Sequence, residues 1–368
     1  MNIMSKLNTA VAAALFSLAL FSSCTSSNSY TYGKWETKAD FDGKARWGAA
    51  SFVIGDYGYV VGGYNGKTVR LSDAWRYSFS NNSWEQVASI PGTPRREAAG
   101  FSADGYGFVT TGQGFDGTTQ TTTYLRDTWK FDPSGTTTQD VIIGTDTINK
   151  TVPGKWLPAA DFPYTGRKDA LSISFSDEGI VGCGYNDDGY LKDTYSYNPT
   201  TDKWSIVAFP GSKRQGGAAV AVSDSVAYLG FGMNSSGYNY DFWKYNRKTN
   251  TWTQERDIAD RSSDSYDDDY GTLGRMYPSI FAFNNRVYIA CGLNSSVRGD
   301  FWEYTASTDL WNQDSFTPIT KHSIASSRYM ALPFCNGKRA FLTTGCQSTS
   351  TYFDNTIELV PDVHDDDD

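Results

Sequence analysis

"DAWRYSFSNNSW" (73–84) decides how this chain is read, because it returns as "DTYSYNPTTDKW" (193–204), "DFWKYNRKTNTW" (241–252) and "DFWEYTASTDLW" (300–311). Each copy sets an aromatic residue two places after an Asp and a Trp nine places further on: Trp75 and Trp84, Tyr195 and Trp204, Trp243 and Trp252, Trp302 and Trp311. A fifth copy, "DTWKFD" (127–132), reaches Trp156 only after an insertion, and a sixth, "DNTIEL" (354–359), is followed by no tryptophan. Upstream of every copy an apolar stretch ends in glycine, at Gly63, Gly112, Gly184, Gly232, Gly292 and Gly345. Seventeen residues before that glycine stands Arg46, Arg95, Arg167, Arg275 or Arg328, while the fourth copy has Gln215 there and Arg214 one residue earlier.

Each unit therefore reads as four strands: one after the arginine, one ending in glycine, one opening on the Asp, and one around the Trp. Four short strands in a repeat of roughly 50 residues is the signature of a β-propeller. The composition agrees, with 35 Gly, 24 Tyr and 11 Trp in 368 residues, a bias toward short strands and tight turns. The last unit lacks a Trp strand, yet "YGKWETKADF" (32–41) is an orphan one. Pairing the two removes two sheet edges. The expectation is an all-β, six-bladed propeller over 32–360, with four-stranded blades and a ring closed by the N-terminal strand.

The arginine, the terminal glycine, the aromatic pair and the spaced Trp resemble kelch repeats over nearly the whole of 32–360. Most units carry one glycine where kelch repeats favour a doublet; only Gly62–Gly63 is complete. The tryptophans, recurring with the repeat, are expected to pack blade on blade, and the repeated Asp residues to bond backbone N–H groups in their own turns.

Both ends stand outside this repeat. Lys6, the apolar "AVAAALFSLALF" (10–21) and "FSSC" resemble a bacterial lipoprotein signal, too short to span a bilayer. The resemblance implies cleavage after residue 23, a lipid on Cys24, a tether over 24–31, and an outer-membrane lipoprotein held to the membrane through that lipid alone. The acidic tail 361–368 is expected to be disordered. A net charge of −9 and a pI near 4.8 exclude a nucleic-acid partner.

The kelch resemblance places residues that open innermost strands near the mouth of the central channel. Arg46, Arg95, Arg167, Arg214, Arg275 and Arg328 would then ring that mouth. Guanidinium forks suit carboxylates, and the kelch domain of a ubiquitin-ligase adaptor grips acidic peptides this way. The other reading is that each arginine pairs with a nearby carbonyl or Asp and staples the ring. A long loop (113–126) offers Gln113, Phe115, Asp116 and Tyr124 for contact, the Phe and Tyr beside polar amides suiting stacking on a sugar ring. The acidic loop 257–274 leads into Arg275 without EF-hand spacing, and the insertion 133–155 extends the third and fourth strands of its blade. Cys183, Cys291, Cys335 and Cys346 are expected to stay unpaired.

Chemistry is sparse. Kelch-type copper oxidases need two histidine ligands, and the chain holds only His322 and His364; no metal or cofactor is expected. A second resemblance, to bacterial sialic-acid mutarotases with kelch propellers, implies a general acid/base. Glu97, after Arg95 and Arg96, is the one glutamate expected near the mouth. The favoured reading is a non-catalytic propeller binding a protein or glycan ligand, an anionic one by the arginine reading; the alternative is a mutarotase-like sugar isomerase.

Overall fold

The structure, a computed structural model, describes residues 32–364 apart from 67–69, 144–145, 284 and 314–316. The expected leader, Cys24, the tether and residues 365–368 lie outside the described residues.

Six four-stranded antiparallel sheets account for the repeats. The first runs from Ala50–Ile54 innermost, through Tyr57–Tyr64 and Arg70–Ser78, to Ser83–Val87 outermost, and the next four follow the same order. In the sixth, Leu332–Cys335, Ala340–Thr343 and Thr356–His364 are completed by Tyr32–Thr37 from the start of the propeller. Thr37 lies opposite Ile357 and Tyr32 opposite His364. The strand thus runs past 360, because the N-terminal strand still offers partners to residues expected in the tail.

The innermost strands touch in a closed cycle, each against the next and the last, Leu332–Cys335, against Ala50–Ile54. Backbone hydrogen bonds follow the same circle. The N–H of Gly63 donates to the carbonyl of Arg95, and those of Gly112, Gly184, Gly232 and Gly292 donate in turn to Arg167, Arg214, Arg275 and Arg328. The last step, from Gly345 to the carbonyl of Arg46 at 2.9 Å, joins the sixth sheet to the first. The fold is an all-β, kelch-type propeller.

Small departures from the repeat are absorbed locally. Arg214 stands one residue further from its glycine because the register shifts between Ala221 and Ser223, in the hairpin turn. The bridges Trp47–Tyr64 and Gln215–Met233 remain equivalent, so Arg214 is the true counterpart of Arg46. The missing glycines have a similar answer. The residue before the terminal glycine is left-handed in every sheet, at Gly62, Thr111, Cys183, Phe231, Cys291 and Thr344 with φ between 58° and 66°. Five blades therefore hold a side chain in a conformation that glycine adopts at lower cost.

Adjacent sheets meet through aromatic side chains. Phe52 and Tyr59 pack with Phe131 and Trp156, Phe101 and Phe108 with Tyr197 and Trp204, and Tyr228 and Phe242 with Tyr304 and Trp311. Each such ring is worth about 1.5–3 kcal/mol on burial. The indoles of Trp35, Trp84, Trp156 and Trp204 donate to Thr317, Ala39, Ala88 and Ala160, carbonyls just beyond the outer strand of the preceding sheet. The repeated tryptophans pack blade on blade, as expected.

The insertion lengthens the second sheet's outer pair to Thr128–Ile143 and Asp146–Ala159. A register shift between Asp132 and Thr136 bends it, and Val141 and Val152 are buried with Val87, Ala88 and Ile90. Cys183, Cys291, Cys335 and Cys346 are all unpaired.

Candidate functional site

The six repeat arginines are buried among protein partners. Each is 0–1% exposed, and five reach the Asp that opens the third strand of their own sheet. Arg46, Arg95, Arg167 and Arg275 hold Asp73, Asp127, Asp193 and Asp300 bidentately, with N–O distances of 2.5–2.9 Å, and Arg214 meets Asp241 at 2.6 Å. Their Nη1 groups also donate to the carbonyls of the left-handed residues 62, 111, 183, 231 and 291. This corrects two expectations. The arginines are staples, and the repeated Asp residues accept from arginine and from the indoles of Trp75, Trp129, Trp243 and Trp302. Arg328 is the exception: its sheet has Thr356 at the aromatic position, the guanidinium stacks on Phe353, and Nη2 is buried without a hydrogen-bond partner.

Two residues after each arginine the picture changes. Gly48, Glu97, Asp169, Gly216, Tyr277 and Met330 occupy equivalent positions, all with φ between 54° and 63°. Their backbones bond from sheet to sheet, Glu97 N–H to Gly48, Asp169 N–H to Glu97, and Tyr277 N–H to Gly216. They bound the arginine-side end of a cavity of about 820 Å³ lined by all six innermost strands.

Two carboxylates meet here. Glu97 and Asp169 come from neighbouring sheets and are 7% and 9% exposed. The ammonium of Lys168 lies 3.2 Å from Glu97 and 3.3 Å from Asp169. Glu97 Oε2 makes no well-aligned hydrogen bond, so its contact with Lys168 is ionic. From two sheets away Tyr277 donates its hydroxyl to Asp169 Oδ2 at 3.1 Å. Burial, and then the Glu97 charge, push the Asp169 carboxyl up to about 7 against the pull of Lys168 and Tyr277. Burial alone would lower Lys168, but Asp169 and Glu97 carry it above its ordinary value. Burial, then the same two carboxylates, raise the Tyr277 phenol. Such an arrangement can move a proton and can hold polar groups of a ligand.

Gln113, Phe115 and Tyr124 lie at the edge of this mouth. Gln113 and Tyr124 face each other in a small ribbon, Gln113–Asp116 with Thr121–Tyr124. The Gln113 amide oxygen is already engaged by Arg70 at 2.9 Å and Arg96 at 2.7 and 2.9 Å. Phe115 carries the Arg70 guanidinium on its face. Glu97 is among the residues that line the cavity. Asp169, Lys168, Tyr277, Arg70 and Arg96 were not read as site residues, although Asp169 and Tyr277 share the register of Glu97. The acidic loop gathers Asp260, Asp267 and Asp268, but Asp267 is taken by the backbone of Arg261 and Ser262.

Residues 46–91 match the family model of the Kelch motif. Among solved structures the chain is similar to YjhT, with a TM-score of 0.66 and 13% sequence identity over 87% of this chain and 96% of that one. No curated protein matches. Likeness at this level speaks for the fold.

Proposed function

We propose that the chain is an exported, lipid-anchored propeller of the bacterial cell envelope that binds a protein or carbohydrate ligand at the arginine-side mouth of its channel. The observation that carries this reading is the buried Glu97–Asp169 pair at the end of a cavity of about 820 Å³. Buried carboxylates disfavour folding unless something repays their desolvation, and Lys168 with Arg96, 3.7 Å from Glu97, leaves Glu97 Oε2 without a hydrogen bond. The ligand is then held by the ring two residues beyond the staples. The expected result is thermal stabilisation by a glycan or peptide that is lost in Glu97→Gln and Asp169→Asn. Stabilisation that survives both substitutions would place binding elsewhere.

The sugar-isomerase reading has one specific observation in its favour. A carboxyl titrating near 7 beside an ammonium and a phenol is matched to general acid–base work at neutral pH. Anomer exchange of a reducing sugar, followed by NMR, decides between the readings. An isomerase accelerates exchange and loses the effect in Asp169→Asn or Glu97→Gln; a binding propeller leaves the rate at its solution value.

A further inference from the structure

Arg70 and Arg96 stand together with one carboxylate in reach, Glu97, whose Oε2 lies 3.7 Å from Arg96 Nε. Arg70 Nε and Nη2 donate to the carbonyl and side-chain oxygens of Gln113, each at 2.9 Å. Arg96 Nε and Nη2 donate to the same side-chain oxygen at 2.9 and 2.7 Å. Two guanidiniums thus converge on one neutral amide oxygen. Both forks are also held flat, Arg70 over Phe115 at 5.0 Å, and Arg96 over Trp47 at 5.0 Å and Tyr64 at 5.2 Å. Stacking of this kind fixes a fork without neutralising it.

Most arginines elsewhere among the described residues are paired, Arg328 being an exception. Arg76 has Glu85, Arg247 has Asp177 and Glu178, Arg339 has Glu358, and five repeat arginines have their own Asp. With 41 acidic residues against 32 basic ones, two adjacent arginines without a hydrogen-bonded carboxylate run against the composition. Among the described residues none pairs with Arg70, and the one nearest Arg96, Glu97, stands at 3.7 Å and is closer to Lys168. Burial, then the Arg96 charge, lower the Arg70 pKa, the mark of a cation short of an anion.

We propose that Arg70 and Arg96, seated on Gln113, Phe115, Trp47 and Tyr64, form an oxyanion subsite that takes the carboxylate, phosphate or sulfate of a small ligand. This rests on the proposed binding role of the channel mouth and adds the charge of its ligand. The anion is recognised by the Nη donors of forks that Gln113 and the aromatic faces already orient, and the uncharged part of the ligand extends toward Glu97 and Asp169.

The test uses sugars that differ only in charge: D-glucose, D-glucuronate and glucose 6-phosphate, titrated calorimetrically into the full chain in detergent. The result expected is that at least one anionic sugar binds tenfold or more tighter than glucose, about the value of a charge-assisted contact. That advantage weakens in high salt and disappears in Arg70→Gln and in Arg96→Gln, while glucose affinity stays. Glucuronate alone assigns a carboxylate subsite, and both sugars assign a general oxyanion one. Arg96→Lys checks folding and keeps part of the advantage. If anionic sugars bind no tighter than glucose, or keep their advantage in both Gln variants, the subsite is overturned. Glucose binding lost in Glu97→Gln would then still uphold the wider role of the mouth.

Discussion

Two rings run around the channel only two residues apart in sequence, and they have opposite characters. Arg46, Arg95, Arg167, Arg214, Arg275 and Arg328 repeat one side chain and, in five sheets, one partner. Gly48, Glu97, Asp169, Gly216, Tyr277 and Met330 share a backbone conformation but no side-chain type. Whatever the architecture needs six times is repeated. A polar group that breaks the repeat while staying buried is released from that duty, and there a ligand is to be sought.

The comparison breaks most visibly by exchanging the rings' fates. Arg167→Met leaves the partly exposed Asp193 carboxylate and the buried Cys183 carbonyl without the guanidinium that joins them, and is expected to destabilise by about 2–4 kcal/mol. Arg96→Gln keeps an amide against Gln113 and should change stability by less than about 1 kcal/mol. Urea denaturation of both variants measures the difference, and similar midpoints would dissolve the distinction between staple and site. Next in size comes Gly232→Ala. At φ 84° a Cβ there would sit 2.5 Å from the carbonyl oxygen of Gln215, so about 1–3 kcal/mol should be lost.

The outer ring was legible because symmetry writes it repeatedly: a fixed count back from a glycine finds five arginines, and the sixth is displaced by a turn in which register shifts. Their role was not legible. Counting cannot tell a guanidinium facing solvent from one holding Asp127. Moving the same count two places reaches Glu97 and Asp169 together, but only a search by position rather than residue type would have taken both. Tyr277 acts across the ring from another sheet, and Arg70 belongs to a strand whose neighbour on the mouth, Gln113, lies 43 residues away. Such proximity is made by closure, which no local pattern records.

Titration sharpens the inner ring. Asp169 has its carboxyl raised to about 7 in the folded chain, against about 4 when unfolded. The folded state therefore binds more protons than the unfolded one between these values, and stability falls as pH rises from about 4 to about 7. Asp169→Asn should flatten that slope and gain on the order of 1–2 kcal/mol at pH 8. Asp193, the staple carboxylate, gives the contrast: Asp193→Asn should lose stability at the same pH. A slope unchanged in Asp169→Asn would show that the inner carboxylates do not carry this pH dependence.

The smallest effect lies where the outer ring is least perfect. Thr344 is left-handed at φ 59°, a β-branched residue in a glycine conformation, and its hydroxyl is buried without a partner. Its carbonyl accepts from Arg328 Nη1 at 3.0 Å, as its counterparts do from their arginines, but Arg328 Nη2 does not bond its repeat Asp, Asp354, as the others do theirs. Thr344→Gly restores the doublet of the first sheet, relieves backbone strain and removes the orphan hydroxyl. It should gain about 1 kcal/mol, offset in part by added freedom in the unfolded chain. The same change at Thr111 should gain less, because that hydroxyl donates to Thr110 and accepts from the Ala99 N–H. Equal gains at the two sites would mean that strain alone, and not the unsatisfied hydroxyl, separates the sixth sheet from the second.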